Sequence, residues 1–126
     1  MKRNSAEYRL KFEEALRLRD EGCLAESSDL LLELGGGNSE DLPLNLMRAG
    51  ILLDMENFSE AHELFARIVT LQPRSELASR GLFFSLWKLG RFRDALDEMQ
   101  RFLSTSDSEA YRQLLSDMIE SLEKEQ

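Results

Sequence analysis

Histidine and cysteine are scarce in this chain, and their scarcity excludes most enzyme chemistry that depends on them. His62 is the single histidine, so one chain cannot form a histidine cluster or a histidine-based triad. Cys23 is the single cysteine, which excludes an internal disulfide. It has no histidine near it in the sequence, so we do not expect a reactive thiol. The run from Gly35 to Asn38 lacks the lysine and the strand-to-helix context of a phosphate loop, so we expect a linker there. The sequence therefore predicts a non-catalytic protein with no cofactor and no metal site.

Long apolar runs are also missing. No stretch approaches the roughly 18 unbroken apolar residues that a membrane-spanning helix needs. The segment from Met1 to Glu7 leads directly into charged sequence and contains no apolar signal core. A length of 126 residues, with 42% hydrophobic and 32% charged residues, suits one globular domain. We expect a cytoplasmic protein that does not associate with membranes.

Acidic residues outnumber basic ones, but their distribution is uneven. The net charge of −8 is made up of +1 for residues 1–21, −7 for 22–73, +2 for 74–106 and −4 for 107–126. A nucleic-acid-binding protein normally presents a basic face, so nucleic acid is excluded as a direct partner. The acidic middle segment favours a basic protein partner, because long-range attraction raises the encounter rate. The alternative is that the acidity only keeps the chain soluble.

Helical periodicity dominates what remains, and no segment alternates apolar and polar residues long enough to predict a strand. Breaks recur near Gly22, Glu56, Pro73 and Gly90, and they divide the chain into about seven helices. The fold class expected is all-α. Apolar residues three or four positions apart occur, for example, at Phe92, Ala95, Leu96, Met99 and Leu103.

The breaks follow a repeat. Gly22, Glu56 and Gly90 follow one another at intervals of 34 residues. A period of this length, with helix, tight turn and helix, is typical of tetratricopeptide repeats. Further triplets with the same spacing are Leu18, Leu52 and Leu86; Leu24, Phe58 and Phe92; Ser27, Ala61 and Ala95; Leu31, Phe65 and Met99; and Leu34, Ile68 and Phe102.

The residue types at these positions have physical reasons. Ala61 and Ala95 are expected where two paired helices approach most closely, because a larger side chain would separate them. Gly22 and Gly90 can adopt the left-handed conformation that ends a helix. One helix pair cannot bury its own apolar surface, so neighbouring pairs must stack.

On these residues the chain resembles the tetratricopeptide repeat family, most closely over 58–65 and 89–96. The resemblance implies a right-handed α-solenoid of about seven antiparallel helices, forming a single domain over 1–126. It implies helix pairs over about 6–39, 40–73 and 74–107, followed by a capping helix over about 107–124.

Three positions depart from the family pattern. Ser27 stands where alanine is usual, and Glu56 occupies the glycine position. Phe83 replaces the small residue that the earlier repeats have as Ala15 and Ala49.

The last helix falls outside the repeat register. Ser106 with Glu109 reads as a capping box that opens it. Such a helix covers apolar surface that the last repeat would otherwise expose. Its expected apolar stripe is Leu114, Leu115, Met118, Ile119 and Leu122.

In this family the first helix of each pair lines a concave groove, and the resemblance implies a set of partner-binding residues. Helical spacing independently places Arg80, Phe84 and Trp87 on one stripe. Because Phe83, Leu86 and Leu89 already supply a core face, that stripe indicates either a binding surface or a face covered by the last helix. The implied groove residues are Arg9, Phe12, Leu16, Arg19 and Asp20; Leu46, Gly50, Leu53 and Asp54; and Leu77, Arg80, Phe84, Trp87 and Lys88.

One subtype of the family is excluded. Carboxylate-clamp repeats bind a chaperone's acidic C-terminus with lysines and asparagines, and this chain lacks them. The matching positions are Phe12, Leu16, Met47, Leu77 and Gly81.

The functional hypothesis is a module that binds a protein partner in the groove. The chain resembles small tetratricopeptide-like immunity proteins of bacterial polymorphic toxins, which implies a basic toxin domain as partner. Two alternatives remain open: a secretion chaperone or assembly adaptor that holds an extended peptide, and a structural subunit that forms a homodimer or larger self-assembly.

Overall fold

The computed structural model describes residues 5–35 and 41–124, and these form an all-α solenoid without a strand. Each helix packs against the next along the chain, and α3 also contacts α5, so the first helices of the second and third pairs are neighbours. The predicted fold class is thereby confirmed. The helices are α1 (Ala6–Asp20), α2 (Leu24–Gly35), α3 (Leu42–Asp54), α4 (Phe58–Leu71), α5 (Glu76–Lys88), α6 (Phe92–Thr105) and α7 (Glu109–Lys124).

Short polar side chains start several helices. The side-chain oxygens of Ser5, Asn57 and Ser75 accept hydrogen bonds from backbone N–H groups three residues later. These bonds satisfy donors that have no partner inside the helix. Pro43 lies in the first turn of α3, where a missing N–H does no harm.

The turn within each helix pair is the same at all three positions of the repeat. Gly22, Glu56 and Gly90 have positive φ angles of 85°, 60° and 80°. Each donates its N–H to the carbonyl three residues earlier, and the next residue donates to the carbonyl five residues before it. These paired bonds define a Schellman motif. Glu56 adopts this conformation although it carries a side chain.

Small residues allow the helices of each pair to approach closely. Ala15, Ala49, Ala61 and Ala95 are completely buried. Ser27, which departs from the family pattern, is equally buried, and its hydroxyl donates a 2.6 Å hydrogen bond to the carbonyl of Ala15. The hydroxyl therefore has a partner on the opposite helix, which explains how serine replaces alanine there.

The core consists of two clusters that meet on α3. The smaller joins α1, α2 and α3 and contains Tyr8, Leu31 and Ile51. The larger joins α3 through α7 and contains Leu52 and Phe83. Because α3 contributes to both clusters, packing is continuous along the described solenoid.

The start of α7 corrects one prediction. Ser108, and not Ser106, caps this helix, because its hydroxyl accepts a 3.1 Å hydrogen bond from the N–H of Tyr111. Ser106 instead ends α6 in an extended conformation. Tyr111 is the fully buried residue of α7, whereas the predicted apolar stripe is only partly buried and Ile119 is exposed.

Two absences concern the described residues alone. No helix there combines the length and apolar composition that a membrane crossing requires. Nor do three or more histidine, cysteine, aspartate or glutamate side chains in that part of the chain form a group suited to a metal ion. Of the glycine-rich linker, Gly35 ends α2, and Gly36 to Asn38 lie outside the described residues.

Candidate protein-binding groove

A cavity of about 570 Å³ lies between α3, α5 and α7. Most of its lining is apolar, and its charged side chains are Arg80 and Lys88. The lining residues are Leu46, Gly50, Leu53, Phe65, Leu77, Arg80, Gly81, Phe83, Phe84, Trp87, Lys88, Leu114 and Met118.

Gly81 determines how closely α5 approaches α4. A Cβ atom at this position would lie 2.3 Å from ring atoms of Phe65, far inside van der Waals contact. Glycine therefore lets the two helices pack directly, with Phe83 and Leu86 in the core. The face of α5 that carries Leu77, Phe84 and Trp87 is turned to the cavity.

That face keeps large apolar side chains in contact with solvent. Leu77 is 63% exposed and Phe84 is 44% exposed, although both line the cavity. Leu89, which the sequence pattern assigned to the core face, is 39% exposed because it lies at the C-terminal cap of α5, beyond the last helical turn.

Aromatic contacts hold the rim of the cavity in place. Trp87 is half-buried between Phe83 and Phe92, with ring centroids 5.7 Å and 4.7 Å away. Phe84 packs edge-on against Phe58 at 6.5 Å. A partner would therefore meet aromatic surfaces that are already ordered, which lowers the entropy lost on binding.

The last helix forms one wall of the cavity and leaves Phe84 uncovered. Leu114 and Met118 of α7 line the cavity beside α5. Sequence reasoning assigned both to a capping stripe and missed that they face the same space as Phe84 and Trp87. Their spacing of four residues was the available signal.

A buried polar network attaches α7 to the solenoid. The Tyr111 hydroxyl lies 2.9 Å from the Ser79 hydroxyl, which donates a 2.7 Å hydrogen bond to Glu98. Arg101 donates two hydrogen bonds of 2.8 Å and 2.7 Å to the same carboxylate, and another of 3.1 Å to the carbonyl of Pro73. The network joins α5, α6 and α7.

Titration properties agree with this arrangement. Burial raises the pKa of Tyr111 to about 12, so its phenol is neutral at physiological pH. The hydrogen bonds to Glu98 raise the pKa of Arg101. The phenol, the hydroxyl and the carboxylate all have hydrogen-bond partners within the network, which gives it a structural role.

A second cavity of about 580 Å³ continues the groove towards α1. It shares Leu46, Gly50, Leu53 and Leu77 with the first cavity, so the two form neighbouring parts of one groove. Its further lining residues are Arg19, Pro43, Met47, Ile51 and Asp54.

The structure brings together the predicted groove residues of the second and third repeats, and only part of the first. Arg19 reaches the groove, whereas Arg9, Phe12 and Leu16 line neither of these two cavities. Phe12 instead stacks on Tyr8 at 6.3 Å and packs against the smaller core cluster. The predicted residues that line the groove are Arg19, Leu46, Gly50, Leu53, Asp54, Leu77, Arg80, Phe84, Trp87 and Lys88.

The acidic residues of the middle segment lie mostly outside the groove. Asp54 is the acidic member of the combined lining. Of the other acidic residues of 22–73 that the structure describes, Asp41 is buried, and six project from α2, α4 and the turn before α4 into solvent. These exposed acidic residues are Glu26, Asp29, Glu33, Glu56, Glu60 and Glu63.

Comparison with known proteins identifies a fold and no family. No protein-family model matches the chain, and no curated protein does. Fourteen chains in solved structures match it. A point mutant of MamA has a TM-score of 0.71 at 17% identity, covering 85% of this chain and 78% of the MamA chain. The MamA RS-1 ArsTM double mutant has a TM-score of 0.76 at 20% identity, covering 95% and 70% respectively. At such identities the likeness shows the fold alone, a tetratricopeptide-like helical solenoid.

Proposed function

We propose that this chain is a non-catalytic, cytoplasmic protein-interaction module that binds a partner in the groove between α3, α5 and α7. The observation that carries the proposal is the exposure of Leu77 and Phe84 on the wall of an apolar cavity. Aromatic and apolar side chains in a concave, preorganised site are the usual source of binding energy at protein interfaces.

The volume of the cavity suits a few apolar side chains of a partner protein. A volume of about 570 Å³ falls within the range of roughly 300–1,000 Å³ that binding pockets occupy. It could accept two or three apolar side chains from a partner segment. A secretion chaperone or an assembly adaptor would use the same cavity to hold such a segment.

A matched pair of substitutions tests the proposal. Leu77 and Leu10 are both 63% exposed, but Leu77 lines the cavity and Leu10 does not. Leu77→Ser and Leu10→Ser therefore remove the same exposed surface from two different places. Each variant is immobilised beside the wild type, and proteins captured from the source lysate are identified by mass spectrometry and then purified for titration.

Groove binding requires that Leu77→Ser weakens the purified complex at least about fivefold, whereas Leu10→Ser leaves its affinity unchanged. Equal losses in both variants, or none in either, would contradict the proposal. Trp87→Ala is a poorer test, because Trp87 packs between Phe83 and Phe92 and its removal would also loosen the fold.

An immunity role is the second candidate, and the exposed acidic face of α2 and α4 favours it. A basic toxin domain would find its electrostatic complement there and not in the groove. Replacing Glu60 and Glu63 by glutamine should then slow association with such a domain, whereas Leu77→Ser should have no effect. Protection of cells that express the toxin would measure the same property in vivo.

Self-assembly is the third candidate, since Leu77 and Phe84 could equally meet a second copy of the chain. Sedimentation velocity at several protein concentrations separates this candidate from the others. A monomer at all concentrations excludes it, and a concentration-dependent dimer that Leu77→Ser abolishes supports it.

A further inference from the structure

We infer that the occupant of the groove is an acidic apolar segment of a partner protein, in which carboxylates flank the apolar side chains that fill the cavity. This inference rests on the proposed function and states the chemistry of the partner. The inference is carried by the charged side chains that line the cavity between α3, α5 and α7, which are opposite in sign to the net charge of the chain.

The cavity between α3, α5 and α7 is lined by basic and not by acidic side chains. Its charged lining residues are Arg80 and Lys88, both exposed at the rim. The chain carries 24 acidic and 16 basic residues, so a lining that contains only cations departs from its composition. An apolar partner segment that carried lysine or arginine would therefore meet like charge at this rim.

Both cations are available to a ligand. Within the described residues, neither Arg80 nor Lys88 forms a hydrogen bond or an ion pair with another side chain. The Lys88 ammonium lies 5.4 Å from the centre of the Phe84 ring, a contact that positions it without neutralising it. Arg19, in the neighbouring cavity, is instead paired with Asp20 at 3.2 Å.

The spacing of the two cations describes the partner segment. Arg80 and Lys88 lie eight residues apart on α5, which corresponds to about 12 Å along the helix. Phe84 lies midway between them and one turn from each. A matching helical segment would place an apolar side chain against Phe84, between two carboxylates about two helical turns apart. A further apolar side chain would meet Leu77, beyond the carboxylate that pairs with Arg80.

The test uses three designed helical peptides of about 15 residues with the same apolar face. Two flanking positions, two helical turns apart, carry glutamate in the first peptide, glutamine in the second and lysine in the third. None of the peptides contains tryptophan, so fluorescence of Trp87, the chain's single tryptophan on the cavity wall, reports binding directly. Calorimetry provides an independent affinity.

We expect the glutamate peptide to bind most tightly and the lysine peptide most weakly. Each exposed ion pair should contribute up to about a fivefold change in affinity. The double variant Arg80→Gln with Lys88→Gln should bind all three peptides equally. The matched control is Arg67→Gln with Arg93→Gln, which removes the same charge from exposed positions outside the cavity and should preserve the order of affinities.

The remaining outcomes overturn the inference in distinguishable ways. Equal binding of all three peptides that Leu77→Ser abolishes would disprove the acidic preference and leave the groove function intact. Preference for the lysine peptide would reverse the assigned partner charge. No binding of any peptide would count against both. A dimer that Arg80→Gln disrupts would make a second copy of the chain the occupant.

Discussion

The hydroxyl of Ser79 on α5 lies 2.9 Å from the phenolic oxygen of Tyr111 on α7, and both residues are completely buried. Ser79 also donates to Glu98 on α6, so one small side chain connects three helices. Because α7 supplies Leu114 and Met118 to the groove, the contact that docks this helix also positions one wall of the candidate binding site.

Tyr111→Phe should loosen that wall without removing the ring from the core. The change deletes one buried hydrogen bond and should lower the unfolding free energy by about 1 kcal/mol. Denaturant titration measures that loss. Relative to the wild type, amide hydrogen exchange in the variant should accelerate more in α7 than in α3. Unchanged exchange in α7 would mean that apolar contacts alone dock the helix.

Alkaline pH should destabilise the fold through the same residue. The pKa of Tyr111 rises from its ordinary value of 10 to about 12 in the folded chain, because burial disfavours the phenolate. The folded state therefore holds this proton more tightly than the unfolded state does. The resulting stabilisation is complete below pH 10 and is lost as the pH rises towards 12. Unfolding curves across this range should fall more steeply for the wild type than for Tyr111→Phe, and parallel curves would contradict the assignment.

The part of the fold that could be predicted is the part that repeats. Gly22, Glu56 and Gly90 recur because the same turn is needed three times, and the period makes that need visible. The Tyr111 network could not be predicted in this way, since Ser79, Glu98 and Tyr111 belong to different helices and no local pattern relates them. Polar contacts between helices depend on how the helices stack, and only the three-dimensional structure shows that arrangement.

The residues of the groove could likewise be predicted only in part. Helical spacing placed Arg80, Phe84 and Trp87 on one stripe, and the structure brings them to one cavity. The repeat register also placed Phe12 in the groove, but its ring stacks on Tyr8 and lines neither of the two cavities. Charge summed along the sequence was also a poor guide, because successive residues of a helix point to different sides. Six of the nine acidic residues of 22–73 are exposed at positions that do not line the groove.

Glu56→Gly should stabilise the protein. Glu56 has a φ of 60°, a conformation that costs a residue with a side chain about 1 kcal/mol more than glycine. Thermal unfolding should therefore shift to a higher temperature. Gly90→Glu is the reciprocal control, since no atom lies within 4 Å of an added Cβ there and the loss would report the backbone alone. A stabilising effect of both substitutions would refute this account of the turn.

Substitution by alanine should have opposite effects on stability at two glycines of the groove helices. A Cβ at Gly81 would overlap the Phe65 ring at 2.3 Å, so Gly81→Ala should lower the unfolding free energy by about 1–3 kcal/mol. A Cβ at Gly50 meets nothing within 4 Å, and Gly50→Ala should raise it by about 0.5–1 kcal/mol, because alanine favours the helix. Chemical denaturation distinguishes these signs, and a loss at Gly50 as large as that at Gly81 would show that helix packing is not what requires glycine.

Arg48 and Arg101 should contribute differently to the stability of the fold. The Arg48 side chain is only 12% exposed, its Nε has no hydrogen-bond partner within the described part of the chain, and its nearest carboxylate, Glu60, lies 3.8 Å away. Desolvation of such a cation is poorly compensated, so Arg48→Met should leave stability unchanged or raise it by about 1 kcal/mol. Arg101→Met should instead lower it by roughly 2 kcal/mol, because the buried Glu98 carboxylate would lose both of its charged hydrogen bonds. Denaturant midpoints of the two variants provide the comparison, and a larger loss at Arg48 than at Arg101 would reverse the roles assigned here to the two side chains.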